Sequence, residues 1–139
     1  MAQIEVLETA ESFREVDREY KFSHTLIVYR MDNGIYHALS QARCSTTKVD
    51  NQCLTDNIQV PIAAYQPLFP PGLTRAPDPL PVDSYVKRPR LISYNRLRNS
   101  RRPTYIADQV LKEAEVCEIV ERHPYPNIAK YLGCEVHNG

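Results

Sequence analysis

Ser23-His24-Thr25-Leu26-Ile27-Val28-Tyr29-Arg30-Met31, then Asp32-Asn33-Gly34, then Ile35-Tyr36-His37-Ala38-Leu39 form one continuous stretch. Both outer runs are rich in β-branched and aromatic residues, whose side chains fit a pleated, half-buried surface. Asn-Gly between two such runs favours a tight turn with positive φ, because Gly has no Cβ to clash and Asn tolerates that region. The stretch from Phe22 to Arg43 therefore predicts a β-hairpin. Upstream, residues 1–22 are charged, with apolar positions only scattered among them. Ser12 and Glu15 stand at the spacing of a capping box and suggest a short helix there.

Downstream of the hairpin the composition changes. The zone from Ile58 to Pro89 holds eight of the chain's eleven prolines, among them Pro70-Pro71 before Gly72 and the alternation Pro77-Asp78-Pro79-Leu80-Pro81. Each proline lacks an N–H and fixes φ, so the zone reads as an extended arm and not as a central strand or a helix interior. Its apolar residues Tyr65, Leu68, Phe69 and Leu73 are expected to pack it against its own domain. Pro67-Leu68-Phe69-Pro70 also has the bare spacing of a polyproline ligand for an aromatic-lined groove.

The last zone begins with Ser84-Tyr85-Val86-Lys87, read as a short strand stopped by Pro89, with Arg90 to Tyr94 continuing it after a bend. A basic loop, Asn95 to Arg102, leads to a helix from about Thr104, an N-cap residue type, to about Arg122. Asp108 near its start and Arg122-His123 at its end agree with the helix dipole. Pro124 and Pro126 end it, and Asn127 to Val136 then alternates like a strand. On a helical wheel Ile106, Val110, Ala114, Cys117 and Val120 make one apolar stripe, with Glu113 inside it and Glu115 on the opposite face. A carboxylate buried alone costs several kcal/mol, so an inward Glu113 needs a cation. Lys87, on the preceding strand, is the candidate.

Glu113-Ala114-Glu115-Val116-Cys117-Glu118-Ile119-Val120, then His123-Pro124-Tyr125-Pro126-Asn127-Ile128 and Ala129-Lys130-Tyr131-Leu132-Gly133, resembles the end of the regulatory helix of Ser/Thr protein kinases. In that family the helix runs into a His-Pro-Asn-Ile loop and the fourth strand of the small lobe. The longer layout, with a proline-rich arm before the strand, is similar to kinase-like proteins of mushroom-forming fungi. The resemblance implies that Lys87 and Glu113 are the strand lysine and helix glutamate that hold ATP phosphates. Several features depart from the family. Ser84-Tyr85-Val86-Lys87 stands where V-A-x-K is usual, the basic loop lengthens the Lys-to-Glu separation, and no Gly-rich phosphate loop is present. Neither an H-R-D catalytic loop nor a D-F-G metal-binding segment occurs in the 139 residues. The resemblance thus implies a truncated, kinase-like lobe, catalytically inactive by itself. ATP and Mg²⁺ would be ligands only of a longer parent chain. The alternative is a non-catalytic, pseudokinase-like module that binds another protein, or a second copy of itself, through its exposed lobe surface.

The remaining features bound these readings. Lys plus Arg equals Asp plus Glu at 17 each, so no global field draws the chain to nucleic acid or an anionic membrane. One local excess exists: Lys87, Arg88, Arg90, Arg96, Arg98, Arg101 and Arg102 are uninterrupted by an acid and read as a solvated loop that could contact phosphates. Cys44, Cys53, Cys117 and Cys134 include no CxxC pair, which is poor zinc grammar, and no apolar leader follows Met1. Reduced cysteines in a cytoplasmic or nuclear protein are expected. His24, His37, His123 and His137 are expected in surface or helix-end positions, with no metal site. No run is long enough to cross a bilayer. The expected fold is α+β, an antiparallel sheet with one main helix. Residues 1–57 would form an extension carrying the hairpin, 58–83 the proline arm, and 84–139 the kinase-like segment.

Overall fold

The computed structural model describes residues 3–44, 49 and 51–136. In chain order its elements are β1 (Ile4–Val16), β2 (Glu19–Met31), β3 (Gly34–Ser40), one tight helical turn (Asn51–Cys53), β4 (Leu54–Val60), α1 (Ile62–Tyr65), α2 (Tyr94–Leu97) and α3 (Tyr105–Arg122). They divide between two units: Met1–Pro61 with Arg90–Pro103, and Ile62–Pro89 with Thr104–Gly139. The class is α+β, with an antiparallel sheet as expected and α3 as the main helix. The sheet and α3 belong to different units.

The sheet unit is a four-stranded antiparallel meander in the order β1-β2-β3-β4. β2 and β3 pair from Thr25↔Ser40 to Met31↔Gly34 around the Asp32-Asn33 turn. The positive φ of that turn falls on Asp32, at 53°, and not on Gly34. Gly34 serves close approach instead: a Cβ there would lie 3.0 Å from the Tyr36 ring and 3.2 Å from the Gln59 amide. The short helix suggested by Ser12 and Glu15 is absent, because that segment is β1, paired with β2 along its length. A capping spacing with no helical apolar stripe behind it does not outweigh pairing with a strong strand former.

Both faces of β2 are covered. Ile27 and Tyr29 on one face and Val28 on the other expose 0%, 4% and 0% of their surface. Ile27, Tyr29 and Ala38 form the core of the first face, with Val6, Met31, Tyr36 and Leu54 packed around them. Tyr36 stacks on Tyr29 at 5.4 Å between centroids. On the other face the strand register aligns Glu8, Val28, His37 and Ile58 in one row. The Arg90–Pro103 segment is tied to this row: Leu91 and Ile92 donate their N–H groups to Glu8, and Leu91 and Tyr94 are buried. A continuous apolar run in a strand is the pattern that two-sided burial demands.

The proline zone departs from a uniform arm. Its first residues, Ile58 to Val60, complete edge strand β4, and Pro61 ends the ladder where a missing N–H costs nothing. Ile62-Ala63-Ala64-Tyr65, free of proline, forms the single turn α1, closed by Gln66 N–H to the Ile62 carbonyl at 2.8 Å. No helix or strand occurs from residue 66 to 89. Leu68 is 94% exposed and is not a packing anchor, whereas Tyr65 and Leu73 are half-buried.

In the helical unit α3 begins after Thr104 and ends at Arg122, within a residue of the sequence reading. The Thr104 hydroxyl caps no backbone N–H. The strands expected at Ser84 to Lys87, Arg90 to Tyr94 and Asn127 to Val136 are not formed. Only an isolated bridge pairs Arg75 with Cys134, and Tyr94 starts α2 instead. A strand needs a neighbour for its N–H and C=O groups, and among the described residues of the helical unit no sheet supplies one to residues 84–87 or 127–136, whereas Leu91 and Ile92 of the sheet unit give their N–H groups to the Glu8 carboxylate.

Candidate functional site

Lys87 and Glu113 meet, with Nζ 2.7 Å from Oε2. The hydrogen bond that Lys87 donates to Glu113, and then the charge of Glu113, raise the Lys87 pKa above the ordinary lysine value. The setting differs from the expectation in two ways. Lys87 lies in irregular backbone and not on a strand, and the side chains are 69% and 57% exposed, so Glu113 is not buried in the apolar stripe. The reason is helical phase. Ala107 is buried together with Ile106, which places the centre of the buried face about 70° from Glu113 at 100° per residue. The carboxylate therefore sits on the shoulder of the stripe, where water shares the work of balancing its charge.

The remaining basic residues are divided between the units. Arg88 lies 3.7 Å from Glu135, and Arg90 lies 3.9 Å from Glu8. Arg96 is on α2, with Arg98, Arg101 and Arg102 following it in the sheet unit. The run is thus partly neutralised by carboxylates that lie far from it in sequence.

Elsewhere in the helical unit Glu118 accepts hydrogen bonds from the backbone N–H and hydroxyl of Thr74. The Thr74 N–H is the main reason its carboxyl titrates below the usual range. Tyr131 and Cys134 lie 3.3 Å apart, and burial followed by that contact pushes the phenol well above its ordinary value. All four cysteines are free thiols. Among the described residues no group of His, Cys, Asp and Glu is arranged to hold a metal ion, and no helix is long and apolar enough to cross a membrane.

The sheet unit contains a second arrangement that sequence reasoning missed. His37, expected at the surface or a helix end, is 1% exposed. Its Nε2 lies 3.2 Å from the Ile92 carbonyl oxygen. A carbonyl only accepts, so Nε2 carries the proton and Nδ1 the lone pair. Burial is the leading cause that lowers its pKa; the Ile92 bond opposes this, and the positive charge of Arg98 adds to it. His37 and Leu39 line a cleft of about 380 Å³. Asp56, Asn57 and Ile58 of β4 complete one wall, and Asn95 and Arg98 of α2 and its cap complete the other.

This wall of β4 is irregular. Between His37↔Ile58 and Leu39↔Thr55, the single residue Ala38 faces two, Asp56 and Asn57. Asp56 takes φ 52°, a left-handed conformation that a bulge imposes and that Asp tolerates better than most residues. The Asn57 Oδ1 accepts the Tyr29 hydroxyl at 2.6 Å, which fixes the amide. The one sequence signal for His37 was its place inside an apolar strand run; the residue that satisfies it lies 55 positions away. Of the other histidines, His24 pairs with Ser23, His123 caps the end of α3, and His137 lies outside the described residues.

No family model matches the chain, and searches of curated proteins and of solved structures found no match.

Proposed function

We propose that residues 84–139 are a protein-kinase-like segment in which Lys87 and Glu113 keep the cation–carboxylate pair that aims a lysine at nucleotide phosphates. In this reading the chain binds and does not catalyse. The observation that carries it is the 2.7 Å contact between Lys87 and Glu113, residues 26 positions apart that the kinase resemblance names as partners. The His-Pro-Tyr-Pro-Asn-Ile stretch directly after α3 supports the same reading.

The chemistry sets its limits. Phosphoryl transfer depends on a positioned base and on Mg²⁺ to balance developing charge, and the family draws these from H-R-D and D-F-G segments absent from the 139 residues. No Gly-rich loop is present to wrap the phosphates with N–H groups. What these residues offer ATP is one phosphate contact, not a nucleotide site. Thermal melts with and without Mg-ATP test this. The expected result is a negligible shift, because weak binding stabilises little at ordinary nucleotide concentrations. A large shift that Lys87→Ala removes would overturn the reading of a chain that carries only a remnant of the site.

A specific observation favours a second reading, a non-catalytic protein-interaction module. Val116 and Ile119 lie one turn apart on α3 and are 52% and 58% exposed, and Tyr125 and Ile128 beyond the helix are exposed too. An apolar stripe on the outside of the main helix is the kind of surface that a partner or a second copy covers.

A further inference from the structure

We propose that the His37 cleft of the sheet unit binds a small zwitterion, a ligand carrying both an ammonium and a carboxylate and about the size of a free α-amino acid. This inference uses the sheet unit alone and does not depend on the Lys87–Glu113 reading.

The argument starts from the imidazole. With its proton on Nε2 and given to Ile92, His37 has one unused polar atom, the acceptor Nδ1. No other hydrogen bond is made by its ring, and no buried side-chain polar atom lacks a partner among the described residues. The little surface that His37 keeps must therefore include Nδ1, opening into the cleft it lines. A side chain 99% buried, with its one free lone pair at a cavity wall, is a built feature of a site and not a surface accident.

The other groups fix the ligand's chemistry. Asp56 brings a carboxylate and Arg98 a guanidinium to the same cleft, and among the described residues neither is in an ion pair. The Asn57 side chain is turned to the Tyr29 face of the sheet, so the amide available to the cleft is that of Asn95. An anion such as phosphate would meet Arg98 but would face Asp56 and the Nδ1 lone pair. A simple cation would meet Asp56 but face Arg98. A zwitterion satisfies both: its ammonium is matched by Asp56 and Nδ1, its carboxylate by Arg98 and the Asn95 amide. Leu39 and Ile58 offer apolar contact to whatever side chain it carries. At about 380 Å³ the cleft has the volume of a small-metabolite site. The β4 bulge explains the placement, since bulges re-aim side chains, and the left-handed Asp56 is local strain held where a ligand would use it.

Protein labelled with ¹⁵N in its histidine rings tests the proposal directly. The twenty free amino acids, inorganic phosphate and putrescine are each titrated to about 10 mM, the range in which weak metabolite binding is read. At least one amino acid is expected to move the His37 Nδ1 resonance saturably, while phosphate and putrescine leave it in place. Arg98→Ala and Asp56→Asn are each expected to weaken that binding by about tenfold or more, as loss of a charge-assisted contact does. Arg98 is exposed and Asn tolerates the left-handed backbone, so neither change endangers the fold. No saturable shift with any amino acid would overturn the proposal. So would shifts that both variants leave unchanged, or an equal response to phosphate or to putrescine.

Discussion

Gly133→Ala is expected to destabilise the helical unit by about 3 kcal/mol, combining left-handed backbone strain with a steric clash. Gly133 has φ +112°, a region L side chains rarely adopt. A Cβ there would lie 2.7 Å from the Thr74 carbonyl oxygen and 2.8 Å from the Ala76 nitrogen. These are backbone atoms and cannot rotate aside. They belong to the strand-like contact in which Ala76 N–H donates to the Cys134 carbonyl at 2.8 Å and Cys134 N–H to the Thr74 carbonyl at 2.9 Å. The substitution must part the two segments and loosen the loop that Glu118 holds through Thr74. Gly72 is the internal control. Its φ is +97°, but nothing lies within 4 Å of an added Cβ, so Gly72→Ala should lose only the backbone contribution of about 1 kcal/mol. Urea denaturation of both variants separates the two effects, and equal losses would refute the close approach.

Ile27→Ala is expected to remove about 3 kcal/mol from the sheet unit, within the range for a fully buried aliphatic side chain. Ile27 has no exposed surface and packs with Tyr29 and Ala38 at the centre of the core. Its strand is hydrogen-bonded to neighbours on both sides and is covered on both faces. The backbone therefore cannot sink to fill the hole, and the cavity contribution adds to the lost transfer free energy. Denaturation followed by circular dichroism should show a lower midpoint at an unchanged slope. A loss below about 1 kcal/mol would mean that the core is looser than its burial implies.

How much of this was legible in the sequence depended on how local its cause was. The β2–β3 hairpin is written in its β-branched runs and the Asn33-Gly34 dipeptide, and α3 in the phase of Ile106, Val110 and Ala114 between Thr104 and Pro124. β1 and β4 were hidden because their residues are largely charged or polar. Pairing with β2 and β3 makes them strands, not their own propensity. Ser84 to Lys87 misled for the opposite reason: it has strand-like residues but no neighbouring strand.

The candidate sites divide in the same way. The meeting of Lys87 and Glu113 could be anticipated from helical phase together with family resemblance. Its solvent exposure could not, because that turns on Ala107 joining the buried face. The His37 cleft was out of reach. Its parts come from β3, from a bulge in β4 and from residues after Pro89, and only the register of the sheet brings them together.

The central claim, that Lys87 is held by Glu113 as a phosphate-directed cation, is tested most directly by nuclear magnetic resonance of reductively ¹³C-methylated lysines during a Mg-ATP titration. The account predicts that the Lys87 signal moves at millimolar nucleotide, that Lys21 and Lys130 do not follow it, and that Glu113→Gln reduces the movement several-fold. Lys87 moving no more than Lys21 and Lys130, or moving equally in Glu113→Gln, would contradict it.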